Sequence, residues 1–316
     1  AQYGQVEALG LLQEIGTEMH SKDITGGEMP SHVAAQYGQV EALRLLQDLG
    51  ADVHTKDIDG RTMAHWAAKR GQVEALRLLQ ELGADMRAKD NDSSTPAHWA
   101  AGYGQVEVLR LLQELGADMR AKDNDSSTPA HWAAGYGQVE ALRVLSELGA
   151  DVQAKDNNGT TPAHWTAGHG QVEALRLLQK LGADVHAEDN YGSTLAHWAA
   201  KCGQIEALRV LQELGADMYA KDNDGAVPAH VAAQYGQVEA LGLLQEIGTE
   251  MHSKDITGGE MPSHVAAQYG PSAFEGDAGA ECGRKRPGEN PWTFEGAQCR
   301  CELAGQRWRG TGARDF

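Results

Sequence analysis

The chain is poor in the residues that most enzyme and membrane chemistry uses. Only four cysteines occur in 316 residues, Cys202, Cys282, Cys299 and Cys301, three of them crowded near one end. That is no disulfide framework, and it suits a reducing compartment. No apolar run approaches the roughly 18 residues of a membrane-spanning helix, so no membrane insertion is expected. There is no Gly-rich phosphate loop, no nucleophile elbow and no His-Glu-x-x-His pair, so catalysis has no candidate residue. Neither enzyme activity nor a cofactor is expected. Positive charge is scarce: 27 Lys and Arg face 45 Asp and Glu, a net charge of −18. A surface that acidic repels phosphate backbones, which argues against nucleic acid and for a basic protein or peptide partner. A cytoplasmic location is expected, with Arg284-Lys285-Arg286 a candidate nuclear signal weighed against a plain basic cluster in a tail. Residue 1 is Ala, so a true start upstream is allowed for and the lack of a signal peptide carries little weight.

What the chain has is repetition. Leu76–Glu107 and Leu109–Glu140 are identical over 32 residues at a spacing of 33. His32, His65, His98, His131, His164, His197 and His230 recur every 33 residues, and His264 follows after 34. Each closes a variant of one phrase, TPAH in its commonest form. Then come an Ala pair, two variable residues and Gly-Gln-Val-Glu, and about ten residues later Leu-Gly-Ala-Asp and a polar stretch such as KDNDG.

The pattern reads as two short helices and a finger. Thr62 is a good N-cap, its hydroxyl able to accept an orphan backbone N–H. Where Pro96 follows Thr95, its missing N–H costs nothing at the first helical position. Gly71 stops the first helix after about two turns. The second runs over Val73–Leu82 with an apolar stripe, Glu74 in its first turn and Gly83 as its left-handed cap. Asp57-Ile58-Asp59-Gly60 reads as a tight turn at the finger tip. Thirty-three residues cannot bury two apolar helix faces alone, whereas stacked copies can. The TPAHWAA phrase, the Gly-Ala-Asp stop and the 33-residue period closely resemble the ankyrin repeat, over residues 1–270. The fold class so implied is an all-α solenoid of stacked helix pairs with short finger hairpins: seven full pairs from His32 to His230, with half-units at residues 1–16 and 261–270. Residues 271–316 hold no periodicity and are read as a disordered tail or a shifted reading frame.

Departures from the family pattern are informative. Ala replaces the usual Leu before His, and Gln the usual His after the helix-ending Gly. The Asn usual two residues after the Asp of Gly-Ala-Asp is His54, Arg87, Gln153 or Tyr219 here, which puts its backbone bridging in doubt. Ser93 and Ser126 replace the finger Gly where positive φ is expected, at a cost on the order of 1 kcal/mol each, so Gly at either position should raise the melting temperature. Residues 1–38 and 233–270 are identical, which fits a recent duplication or an assembly artefact. The open ends are also complementary, so weak head-to-tail self-association stands beside the plainer reading of a truncated array.

Candidate chemistry gives way to structure at each point. Stacked helices lie about 8–10 Å apart, too far for neighbouring histidines to share a zinc with nitrogens about 2 Å from the ion. The family resemblance gives these rings a structural role toward Thr and neighbouring backbone. Trp66, Trp99, Trp132, Trp165 and Trp198 form a column that reads as core or, alternatively, as a ligand stack. Asp222–Gly225 is a turn, since the twelfth position of a calcium loop would be Ala233. Cys282, Cys299 and Cys301 lack the fourth ligand of a zinc site nearby, and no metal is expected.

Recognition remains. The two residues before each helix-ending Gly vary freely, as do finger positions such as Asn91, Asn157, Asn190 and Asn223. In the resembled family these positions line a concave groove. The residues so implied in partner binding are Tyr37, Asp59, Lys69, Arg70, Asp92, Tyr103, Asp125, Tyr136, His169, Tyr191, Lys201 and Tyr235, the tyrosines being amphipathic anchors. Residues 57–89 carry a net +1 and residues 222–254 a net −4, so a partner's basic end is expected toward the C-terminal repeats. The function implied is a non-catalytic protein-interaction scaffold or adaptor. The alternatives are a regulatory region of a longer enzyme, channel or ubiquitin-ligase subunit, and a fragmentary gene product.

Overall fold

A computed structural model describes residues 29–248. The terminal half-units, residues 271–316 and three of the four cysteines lie outside them. The described residues form fourteen helices in seven pairs and no strand. The first helices are α1 Pro30–Gln36, α3 Met63–Lys69, α5 Pro96–Gly102, α7 Pro129–Gly135, α9 Pro162–His169, α11 Leu195–Lys201 and α13 Pro228–Gln234. The second are α2 Val40–Asp48, α4 Val73–Glu81, α6 Val106–Glu114, α8 Val139–Glu147, α10 Val172–Lys180, α12 Ile205–Glu213 and α14 Val238–Glu246. The described residues divide into two compact units, residues 29–166 with Gln171–Asn190, and Ala167–Gly170 with residues 191–248. In the first, α1, α3, α5 and α7 stack in succession, as do α2, α4, α6, α8 and α10. In the second, α11 packs on α13 and α12 on α14.

Each pair forms for local reasons. Thr62 is extended, at φ −94° and ψ 170°, before α3 turns. Its hydroxyl, however, meets the His65 ring at 2.9 Å, and the same ring Nδ1 accepts the Thr62 N–H at 3.1 Å. The reach of the histidine back to the cap residue is the constant element: where Met29 and Val227 replace Thr, His32 and His230 still accept the backbone N–H. In α4, Ala75, Leu76, Leu78 and Leu79 are buried while Glu74 is exposed in the first turn. Gly71, at φ +73°, ends α3 and turns the chain into α4. Its missing Cβ also admits the Gln105 side-chain oxygen, while the Gln105 amide donates to the Lys69 carbonyl at 3.3 Å. The Gln138 and Gln171 side-chain oxygens take the same place at Gly104 and Gly137.

Fingers are joined by asparagine. The Asn91 N–H donates to the Asp59 carbonyl at 2.9 Å and its side-chain amide to the Ile58 carbonyl at 3.0 Å. Asn124, Asn157 and Asn190 repeat the bond on the preceding finger. Asn91, Asn157 and Asn190, read from sequence as positions that packing leaves open, are therefore fixed by the neighbouring repeat. Ser93 and Ser126 do adopt positive φ, 61° and 62°. They differ in one respect: the Ser126 hydroxyl donates to the Asn157 side-chain oxygen at 2.7 Å. Left-handed backbone costs a non-glycine residue about 1 kcal/mol, and a hydrogen bond returns a similar amount. Ser93→Gly should therefore raise the melting temperature by several degrees and Ser126→Gly by little, measured by thermal unfolding of each variant.

The outer face of the second helices is a solvated charge lattice. Arg44 meets Glu81 at 3.6 Å and Arg110 meets Glu147 at 2.8 Å, each pair bridging two repeats. Arg143 turns instead to Glu140 of its own helix at 3.3 Å, because Lys180 stands where that register would place an acid. Pairs this exposed contribute little to stability.

Candidate interaction surface

The site begins with the tryptophans. Trp66, Trp99 and Trp132 are buried at 6%, 5% and 3% exposure, with ring centroids 6.5 and 6.0 Å apart along the stack. They belong to the core. Their indole N–H groups donate to Asp57, Asp90 and Asp123 at 3.1, 3.2 and 3.1 Å. The other carboxylate oxygen of Asp57 accepts the Asp59 and Arg61 N–H groups that close the finger turn. One carboxylate thus ties finger to helix. Burial raises the Asp90 and Asp123 carboxyls, the latter to about 6, despite the indole bonds. At Trp165 the arrangement changes: the Thr160 hydroxyl takes the Asp156 oxygen and accepts the indole N–H itself. Ser94 and Ser127 occupy the position of Thr160, yet their buried hydroxyls have no hydrogen-bond partner. Ala226 already stands there in a later repeat. Since an unpaired buried hydroxyl costs about 1–3 kcal/mol, the double variant Ser94→Ala, Ser127→Ala should denature at higher urea than the parent.

Two cations close over these rings. The Arg61 guanidinium lies 5.5 and 4.8 Å from the Trp66 and Trp99 centroids and pairs with Asp59 at 2.9 Å. The Lys69 ammonium lies 4.8, 5.2 and 5.2 Å from Trp66, Trp99 and Tyr103, in a box that leaves it 5% exposed. Tyr103 in turn stacks on Trp99 with centroids 6.2 Å apart. Finger and first-helix end therefore meet on one aromatic floor. In the second unit Lys201 sits over Trp198 and Tyr235 at 5.5 and 5.3 Å.

The sequence-derived contact residues divide accordingly. In the first unit Tyr37, Asp59, Arg70, Asp92 and Asp125 are exposed; Lys69 is buried; Tyr103 and Tyr136 are half-buried, and burial raises both phenols, that of Tyr136 to about 12. In the second, Tyr191 is exposed and His169, Lys201 and Tyr235 are half-buried. Adjacent finger tips are joined by the Asn91–Asp59, Asn124–Asp92 and Asn157–Asp125 backbone bonds, which places Asp59, Asp92 and Asp125 in one row. The sequence offers Arg61 only as one more variable finger position of the implied groove, and the Trp-bonded aspartates went unread. Their signal, an Asp nine residues before each Trp, is blurred by Asp222, which precedes Val231 at the same spacing.

His65, His98, His131 and His197 have both ring nitrogens engaged. Nδ1 accepts the cap N–H, which fixes the proton on Nε2, and Nε2 then donates to a carbonyl: His65 to Ser94 at 3.0 Å, His98 to Ser127 at 3.1 Å, His131 to Thr160 at 3.1 Å, His197 to Ala226 at 3.0 Å. Among the described residues no cluster of His, Cys, Asp and Glu has metal-binding geometry, and no helix is long and apolar enough to cross a membrane.

A family model described as three copies of the ankyrin repeat matches residues 1–90, 82–156 and 148–222. The crystal structure of the human ASB11 ankyrin repeat domain is similar, with a TM-score of 0.60 and 25% sequence identity, covering 69% of this chain and 98% of that one. No curated protein matches the chain.

Proposed function

This chain belongs to the ankyrin-repeat family, and on that premise we propose a non-catalytic scaffold or adaptor that holds a basic protein segment or peptide. Repeats of this kind are generally protein-interaction modules. The binding face we propose is the finger tips and first-helix ends of the first unit. The observation that carries this reading is the row of exposed carboxylates, Asp59, Asp92 and Asp125, on fingers locked together by asparagine bonds. A row so fixed loses little freedom when a partner arrives, and the charges of Asp92 and Asp125, beside an Asp59 already paired with Arg61, match a basic guest. Tyr37 and Arg70 add exposed contacts, while Lys69, Tyr103 and Tyr136 hold the floor beneath. In the second unit, taken by itself, exposed Tyr191 and half-buried Lys201, Tyr235 and His169 are the candidate contacts. A reducing cytoplasmic setting suits the Cys202 thiol, buried and outside any disulfide.

The experiment is selection of binders from a random peptide display library, followed by affinity measurement on the triple variant Asp59→Asn, Asp92→Asn, Asp125→Asn. Enriched peptides should be rich in Lys and Arg and should bind the variant at least tenfold more weakly. A selection without basic enrichment, or an unchanged affinity, overturns the assignment.

A further inference from the structure

The array contains a vacancy that its own repeats identify. After Gly-Ala-Asp comes a residue whose side chain can bridge to the next repeat. Arg87 does so, its Nε donating to the Gly116 carbonyl at 2.7 Å, and Arg120 donates to Gly149 at the same distance. These carbonyls close the C-terminal ends of α6 and α8, where the helix dipole concentrates partial negative charge. A guanidinium is the natural complement, planar, permanently charged and rich in donors.

The corresponding residue one repeat earlier is His54. Its backbone is held in the same way, His54 N–H to Asp52 at 2.9 Å as Arg87 N–H to Asp85 at 2.8 Å. The imidazole makes no bond to Gly83, whose carbonyl accepts none among the described residues, and a Cβ on Gly83 would meet nothing within 4 Å. On Gly116 the Arg87 guanidinium lies 3.0 Å from that same Cβ position. A cleft of about 260 Å³ opens next to Gly83, beginning at Ala84, and is lined by Val53, His54, Lys56 and Thr62 of one repeat and by Ala84, Asp85, Ala88 and Lys89 of the next. At about 30 Å³ per water molecule it has room for a guanidinium. The lysines do not forbid a cation. Lys56 donates to the Lys89 carbonyl at 2.7 Å, and in the filled copies Lys89 and Lys122 make the matching bond beside Arg87 and Arg120.

We propose that the cleft between His54 and Asp85 is a docking site for an arginine side chain of a partner polypeptide, its guanidinium donating to the Gly83 carbonyl. The partner's arginine takes the place that Arg87 and Arg120 fill from within the chain. The site rests on the reading that the array binds a basic segment, and it adds a specificity for Arg over Lys that the carboxylate row does not supply.

The test uses the full chain and a blocked Gly-Arg-Gly tripeptide, followed by NMR shifts at His54, Gly83, Ala84 and Asp85. Saturable shifts are expected there, with the Lys and citrulline tripeptides binding at least tenfold more weakly. His54→Arg should abolish them while melting no lower than the parent, and Arg87→His should create a new responsive set around Gly116. The frame accepts both substitutions, since each residue already occupies an equivalent position. Shifts that persist in His54→Arg, or that the Lys tripeptide reproduces at equal concentration, overturn the site. The carboxylate row is read out separately by its Asp→Asn variant, so failure of one is distinguishable from failure of the other.

Discussion

Acidification from pH 7 to pH 4.5 should cost the first unit roughly 5 kcal/mol, which is comparable to the whole stability of many domains. The cause is the histidine ladder. Burial holds the rings of His65, His98 and His131 neutral, lowering their pKa from 6.5 to about 3, 4 and 4. A base whose folded pKa is depressed contributes fully above its unfolded pKa and loses that contribution as pH falls toward the folded value. The window is therefore 6.5 down to about 4, and at 1.36 kcal/mol per pKa unit the three rings together cost about 8 kcal/mol by pH 4.5. Asp123 works in the opposite sense. Its raised pKa of about 6 means the folded state takes up a proton before the unfolded state does, returning about 2 kcal/mol over the same range. Asp90 adds to that return. The histidines win because they are more numerous and more shifted, and because protonating Nδ1 also expels the cap N–H it accepts. Urea midpoints by circular dichroism should fall steeply below pH 6.5. A midpoint that is flat or rising between pH 7 and 5 would show that the rings are not held neutral.

Trp99→Ala should be the most damaging single substitution, at about 4–5 kcal/mol, the upper end for a buried aromatic. The ring packs between Trp66 and Trp132, supports Tyr103, donates to Asp90 and faces both Arg61 and Lys69. Its removal leaves a cavity, an Asp90 carboxylate that keeps its two backbone donors but loses the indole N–H, and a buried ammonium with one wall of its box missing. Trp99→Phe keeps most of the packing and loses chiefly the indole bond, so about 1–2 kcal/mol is expected. Because repeats are stabilised mainly by their neighbours, loss of hydrogen-exchange protection in Trp99→Ala should centre on residues 57–136. An equal loss in both variants would mean that the Asp90 bond, rather than the packed ring, carries the energy.

What the sequence disclosed was whatever depends on one repeat alone. The apolar stripe of Val73–Glu81, the glycine stops and the positive φ at Ser93 and Ser126 follow from local geometry, and each is found where the residues place it. What it withheld depends on two repeats at once. Asn91 reaches back 33 residues, Arg87 forward 29, Gln105 back 36 and Arg110 forward 37. Each offset reflects where an element sits in the stack, and a period of 33 fixes none of the others. Asn91 consequently passed for a surface variable, and the bridging role of Arg87 could not be read from a position where the family carries Asn. Lys69 shows the same limit. A lysine at the variable end of a helix reads as solvent-facing, and only the stacked rings of Trp66, Trp99 and Tyr103 turn it inward.

Where a guest lies on the array is read most directly by hydrogen exchange with and without a bound arginine-containing peptide from the display selection. Protection is expected at the finger tips, residues 57–61, 90–94 and 123–127, at the helix ends around Arg70, Tyr103 and Tyr136, and at Gly83–Asp85. Protection confined to the outer helices α2, α4, α6 and α8, around Arg44, Arg77 and Arg110, would place the guest on the opposite chemistry and contradict the account.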